Sequence, residues 1–201
     1  MSLKIKDKIL SVLFFLRLKD KRAYDEKTKQ ADLNHPERLA VLPYCSCGRG
    51  IDVGCGNRKS SENSIGVDLI GKGKLGRVGC VKGKLSEADI CASGDALTMF
   101  ADGELDFVIA RHNLEHYIDV VKTLVEWRRV LKVGGVLAVV LPDEDGLRRV
   151  NLRGVELDST HYHSFNMASF RSLVVAVGGF EIEKIEPVVE NWSFIGVCRA
   201  V

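Results

Sequence analysis

The chain has 201 residues, 46% of them hydrophobic, which suits one domain with a modest extension and a real core. A net charge of +2 is too small to require a nucleic-acid partner, so a basic site would have to be local. No apolar run reaches bilayer length, and the six cysteines lack the paired spacing of a disulfide framework or a zinc site, which predicts free thiols in a reducing cytoplasm and no metal.

In chain order, the apolar run Ile9-Leu10-Ser11-Val12-Leu13-Phe14-Phe15-Leu16 follows Lys4, Lys6 and Lys8. Arg17, Lys19, Lys21 and Arg22 come next, with no small-residue cleavage site, so a signal peptide is not indicated. The run reads as a helix packing its apolar side on the domain or on a partner, with peripheral membrane contact as the alternative. Residues 1–39 are taken as a helical extension and 40–201 as the domain. Asn34-His35-Pro36 predicts a helix start, with proline in the first turn.

Strands are predicted over 50–53, 64–69, about 87–91, 104–110, 136–141, 180–186 and 193–200. The run 136–141 is almost wholly apolar, as a strand covered on both faces requires. Between 110 and 136, Leu114, Ile118, Val121, Val125 and Leu131 recur at helical spacing, with Asp119, Lys122, Glu126 and Arg129 opposite. This predicts an amphipathic helix ended by Gly134-Gly135. A further helix is predicted over 165–177, closed by Gly178-Gly179. Lys72, Lys74, Arg77, Lys82 and Lys84 alternate with glycines over 71–87, which reads as a surface loop. Alternating strands and helices predict a doubly wound, Rossmann-like α/β fold with ligands at the carboxyl ends of the strands.

Four segments fall at such ends. Asp52-Val53-Gly54-Cys55-Gly56-Asn57 lies where a strand is expected to turn into a helix, and its glycines allow close backbone approach to a ligand. A dinucleotide turn has a third glycine where Lys59 stands. Asp52 would repel a pyrophosphate and attract an ammonium group. Asp68, followed by Leu69, ends the next strand, where a carboxylate can accept from both ribose hydroxyls or cap the following segment. Asp95, followed by Ala96, can accept from an adenine amino group, and Asp89 competes for that role. Arg111-His112-Asn113-Leu114-Glu115-His116 follows the next strand with its backbone toward the ligand, and His116 is either a packing histidine or a catalytic one.

Together these segments resemble class I methyltransferases, in the type 11-like group whose motifs include Leu-Glu-His. The match reads Ile51-Asp52-Val53-Gly54-Cys55-Gly56, Gly66-Val67-Asp68, Gly94-Asp95-Ala96-Leu97, Leu105-Asp106-Phe107-Val108-Ile109, Leu114-Glu115-His116 and Arg129-Val130-Leu131-Lys132-Val133-Gly134-Gly135. The resemblance implies a seven-stranded, mostly parallel sheet with the last strand antiparallel, and S-adenosyl-L-methionine as cofactor. It implies that Asp52 and Gly54 serve the methionine part, Asp68 the ribose and Asp95 the adenine. Cys55, Gly56, Leu69, Ala96 and Arg111 complete the expected cofactor contacts. Leu97-Thr98-Met99-Phe100 departs mildly from the family's Leu-Pro-Phe.

Methyl transfer requires the nucleophile to be held in line with the methyl carbon, and an oxygen nucleophile also needs its proton removed. His112, His116, His161 and His163 are the candidate bases, the last two in Asp158-Ser159-Thr160-His161-Tyr162-His163. That segment is similar to one in relatives linked to polysaccharide and sugar methylation. The expected acceptor is therefore a small molecule, with a sugar or polysaccharide-precursor hydroxyl foremost. The competing readings are an RNA methyltransferase gripping phosphates through 71–87, although no aromatics interleave there, and a cofactor-binding module without turnover.

Overall fold

The computed structural model describes residues 31–77, 81–150 and 160–201. The apolar run at 9–16 lies outside them. Helix α1 (Pro36–Cys45) starts at the predicted Asn34-His35-Pro36 signal, with His35 Nδ1 accepting from the Glu37 amide at 3.4 Å. It spans the predicted 39/40 boundary. Strands β1 (Gly50–Val53), β2 (Ser64–Asp68), β3 (Ile90–Cys91), β4 (Leu105–Arg111) and β5 (Leu131–Pro142) follow, with helix α2 (Val120–Val130) between β4 and β5. Helices α3 (Glu144–Val150) and α4 (Met167–Val177) precede β6 (Phe180–Val189) and β7 (Ser193–Ala200).

The sheet runs β3-β2-β1-β4-β5-β7-β6. Strands β1 to β5 pair in parallel, and β7 is antiparallel to both β5 and β6. The seven-stranded, mostly parallel sheet with an antiparallel last strand is thus present. Alternating residues build two cores. Phe107, Ile109, Ala138, Val140, Ile195 and Val197 meet Val41 and Cys45 of α1 on one face. Val108, Leu137, Val139 and Phe194 meet Leu124 and Trp127 of α2 and Phe170 of α4 on the other. No helix among the described residues is long and apolar enough to cross a membrane.

Three expectations need correction. Among the described residues no helix joins β1 to β2, β2 to β3 or β3 to β4, so the turn after Val53 does not open a helix. Only residues 54–63 separate β1 from β2, too few for a usual helical crossover, which takes about a dozen or more residues. The second correction is the phase of α2. Its buried side is Thr123, Leu124, Trp127 and Val130, while Ile118, Val121 and Val125 are exposed. Leu114 belongs to a separate 3-10 turn (Leu114–His116), and the helix restarts at Asp119, whose side chain accepts from the Lys122 amide. The turn between them breaks the spacing that seemed continuous. Nor does Gly134-Gly135 end the helix: α2 stops at Val130 and both glycines lie inside β5.

Candidate functional site

The carboxyl ends of β1, β2, β3 and β4 form one edge. Gly54 and Gly56 have φ of +69° and +56°, which a side chain rarely adopts. A Cβ on Gly54 would lie 2.1 Å from Asn113 Nδ2, and one on Gly56 would lie 2.7 Å from Val81 Cγ1. Two side chains thus sit directly on the glycine turn. Asp68 Oδ2 accepts the Gly56 amide at 2.9 Å, and Oδ1 accepts the Ile70 amide at 2.9 Å. Each oxygen keeps a further lone pair for a ligand hydroxyl. Gly56, Asp68, Val81, Lys84 and Ser86, among others, close together here and leave no open cavity between them. The glycine cradle and the half-buried carboxylate fit a nucleoside. A pocket for a whole cofactor is usually ~300 Å³ or more, so Val81 and Asn113 must give way to admit one.

Asp52 is buried beneath this turn, and its Oδ2 accepts the Ser60 amide at 2.5 Å. Burial pushes its carboxyl above the usual range, against the pull of Arg111. The Arg111 guanidinium is paired with Asp32, both contacts at 3.1 Å, and Arg58 joins Asp32 at 3.3 Å. Asp52 and Arg111 therefore lie under the site rather than in its opening. Cys55 is buried, and Leu69 is 72% exposed on the rim.

Asp95 lies past the end of β3. Its Oδ1 accepts from Ser93 Oγ at 2.5 Å, and Oδ2 meets Lys122 Nζ at 3.0 Å. The Ser93 hydroxyl and then Lys122 hold its carboxyl below the usual range. Trp127 Nε1 donates to the Gly94 carbonyl at 2.9 Å, and Ala96 donates its amide to Ser93. Asp89 stands instead before β3, where it accepts from the Gly66 amide at 2.9 Å and from Lys59 at 3.0 Å. Lys72 of the basic loop also pairs with Asp89.

Beyond β4, His112 adopts φ +50° and donates its amide to the Val140 carbonyl. Its Nε2 lies 2.9 Å from Glu37 Oε1, and its Nδ1 lies 3.7 Å from Glu115 Oε1. Burial opposes both charges, yet the pairing wins: Glu37 falls to about 2 and His112 is held up. The 3-10 turn then presents Glu115, 1% exposed, whose carbonyl accepts the amides of Tyr162 and His163. These bonds bring the second histidine segment onto the first. The His116 and His161 rings stack edge to face at 4.7 Å, and His161 Nε2 lies 3.9 Å from Glu115 Oε1. His116 Nδ1 lies 3.1 Å from the Thr160 carbonyl, and His163 Nε2 lies 3.1 Å from the Ile118 carbonyl. A carbonyl only accepts, so His163 Nε2 carries its hydrogen and His163 Nδ1 holds the lone pair, whereas His116 Nδ1 also lies 3.1 Å from the Thr160 hydroxyl, which can either donate or accept.

Three of the four predicted histidines, His112, His116 and His161, thus surround Glu115, and His163 stands just outside. Sequence reasoning missed Glu115 as the hub, although it sits between His112 and His116. It also missed Asn113 and Tyr117, which are joined by a 2.9 Å hydrogen bond, and Asp32 and Glu37, which lie in the segment assigned to the extension.

Residues 45–139 match the family described as a methyltransferase domain. A comparison with curated proteins finds no match. Among solved structures, the chain is similar to the methyltransferase in the Haloferax volcanii complex with the Trm112 methyltransferase activator. That match has 15% identity and a TM-score of 0.63, and covers 90% of this chain and 96% of that one. An Archaeoglobus fulgidus SAM-dependent methyltransferase matches at 17% identity and a TM-score of 0.60, with 92% and 99% covered. The Burkholderia thailandensis 1,6-didemethyltoxoflavin-N1-methyltransferase, solved with S-adenosylhomocysteine, matches at 14% identity and a TM-score of 0.59, with 100% and 91% covered.

Proposed function

We propose that the chain is a class I S-adenosylmethionine-dependent methyltransferase and that it methylates a hydroxyl of a small molecule, a sugar or polysaccharide precursor being the foremost class. The observation that carries this reading is the contact of Asn113 with Gly54: it joins the glycine turn to the segment that bears His112, Glu115 and His116. Cofactor and proton-accepting side chains therefore meet at one edge.

In this reading Gly54, Cys55 and Gly56 border the methionine part and Asp68 takes the ribose hydroxyls. Asp95 and Ala96 receive the adenine, and Leu69 covers it from the rim. The position of Asp95 past β3, with Asp89 before it, supports Asp95 as the adenine contact. Asp52 and Arg111 hold the turn from below. S-adenosylmethionine supplies a methyl carbon already activated by its sulfonium. The protein orients the acceptor oxygen and takes its proton. His163 is the base, because its Nε2 hydrogen is committed to Ile118 and its Nδ1 lone pair is left to accept. The Burkholderia relative's small-molecule acceptor supports the substrate class. Buried free thiols at Cys45, Cys55 and Cys198 support a cytoplasmic setting.

The test is a labelled-methyl transfer screen over hydroxylated and amine acceptors. Label on sugar hydroxyls, reduced at least tenfold in His163→Ala with cofactor affinity unchanged, is expected. Transfer only to amines or RNA, or full turnover in His163→Ala, would overturn it.

A further inference from the structure

We propose that Glu115, His116 and His161 form a binding site for a divalent transition-metal ion of the zinc class. One potential ligand atom from each of the three lies within 4.8 Å of the others. Glu115 and His116 come from the turn after β4, and His161 comes from the segment ahead of α4.

The independent observation is the state of Glu115. Its side chain is 1% exposed, and among the described residues neither carboxylate oxygen has a hydrogen-bond partner. Leaving a buried carboxylate unmatched is costly, and the nearby rings do not cure it. His112 Nδ1 and His161 Nε2 stand 3.7 and 3.9 Å from Oε1, beyond hydrogen-bond length. A divalent ion between Glu115 and two imidazoles would supply both the charge and the contacts.

The surroundings suit that use. His116 Nδ1 is held at 3.1 Å by both the carbonyl and the hydroxyl of Thr160, an outer support of the kind that orients most ligating histidines; the tautomer that donates to the carbonyl leaves Nε2 as the ligand atom. The Glu115 carbonyl holds the amides of Tyr162 and His163, so the loop carrying His161 is tied to the turn carrying the other two ligands. Donor atoms around a tetrahedral ion with bonds of ~2.0–2.1 Å stand roughly 3.4 Å apart, so the widest separation, within 4.8 Å, has to close by up to about 1.4 Å. Two histidines and one glutamate leave a fourth position open, the pattern of a catalytic zinc rather than a structural one. The site does not depend on which acceptor is methylated, and His163 remains outside the ligand set.

The experiment uses the full chain carrying Cys47→Ser and Cys91→Ser, which removes two exposed thiols. After chelator treatment, Zn²⁺ is titrated calorimetrically and Co²⁺ by visible absorption. One saturable equivalent is expected, with tetrahedral Co²⁺ bands, no thiolate charge-transfer band, and at least tenfold weaker binding in both Glu115→Gln and His161→Ala. Absence of saturable binding, a thiolate band, or undiminished affinity in the variants would overturn the proposal. If Glu115→Gln fails to fold by circular dichroism, His161→Ala decides.

Discussion

Gly56 donates its amide to Asp68 Oδ2 at 2.9 Å, so the turn after β1 is tied to the carboxylate that ends β2. The bond crosses between two neighbouring parallel strands at their carboxyl ends. It makes the two halves of the nucleoside cradle a single unit. Asp68→Ala should therefore remove both the ribose acceptor and the tie to the turn. We expect a loss of about 10- to 100-fold in S-adenosylhomocysteine affinity, in line with ~1.5–3 kcal/mol for a charged hydrogen bond. Calorimetry measures it. Unchanged affinity would place the ribose elsewhere.

Asp89 and Asp95 should separate cleanly. Asp95→Ala is expected to weaken the cofactor while leaving the melting temperature within a few degrees. Asp89→Ala is expected to do the reverse, because it strands the Gly66 amide and Lys59 between β2 and β3. Thermal unfolding and cofactor titration on both variants check the assignment, and the opposite pattern would restore Asp89 as the adenine contact.

Which parts of this were legible in the sequence follows from how local each signal is. Strand β7 and helix α4 were readable because burial on a sheet face and a glycine stop are written in consecutive residues. The phase of α2 was not, because the 3-10 turn at Leu114–His116 interrupts a spacing that looks unbroken. The strand-end positions of Gly54, Gly56, Asp68 and Asp95 were legible because they depend only on where a strand stops. Glu115 was passed over: its burial, and its meeting with His161, arise only when the loop after β5 folds back. The pairs Asp32–Arg111 and Glu37–His112 join residues 79 and 75 positions apart and leave no local trace.

Thiol reactivity should follow burial. Burial pushes Cys45 up to about 11 and Cys198 up to about 12, and it raises Cys55 as well. Cys47 and Cys91 are exposed. Because the thiolate is the reacting form, Cys47 and Cys91 should be alkylated at neutral pH well before Cys45, Cys55 and Cys198. Peptide mapping after timed iodoacetamide treatment reads this. Fast labelling of Cys55 in the native chain would mean that the glycine turn opens.

Acid should loosen the loop that follows Asp95. Glu126 accepts the Leu97 amide at 2.6 Å and is gripped by Arg129, whose side chain also reaches the Phe100 carbonyl. The Arg129 hydrogen bonds hold the Glu126 carboxyl below its ordinary value of 4.5, although burial works the other way. A lowered folded-state value adds stability above 4.5 that is lost as pH falls through the folded value. Glu126→Gln should thus be less stable than the parent at pH 7, with the gap closing below about pH 4.5. Urea midpoints against pH measure it; a gap that widens in acid would contradict the assignment.

Gly54→Ala should damage the site in two separable ways. The left-handed φ of +69° carries a cost of about 1–2 kcal/mol for a residue with a Cβ, whatever surrounds it. The new methyl also meets Asn113 Nδ2 at 2.1 Å, and crowding of this kind adds ~1–3 kcal/mol. Asn113→Ala removes the second cost and leaves the first. The double variant should therefore recover part of the stability lost by Gly54→Ala, with a coupling of about 1 kcal/mol or more in a double-mutant cycle. Cofactor affinity should stay low in both, because the added Cβ occupies the surface a ligand would approach. Chemical denaturation and cofactor titration on the four proteins give the two quantities. Strictly additive stabilities would show that Asn113 does not rest on the turn.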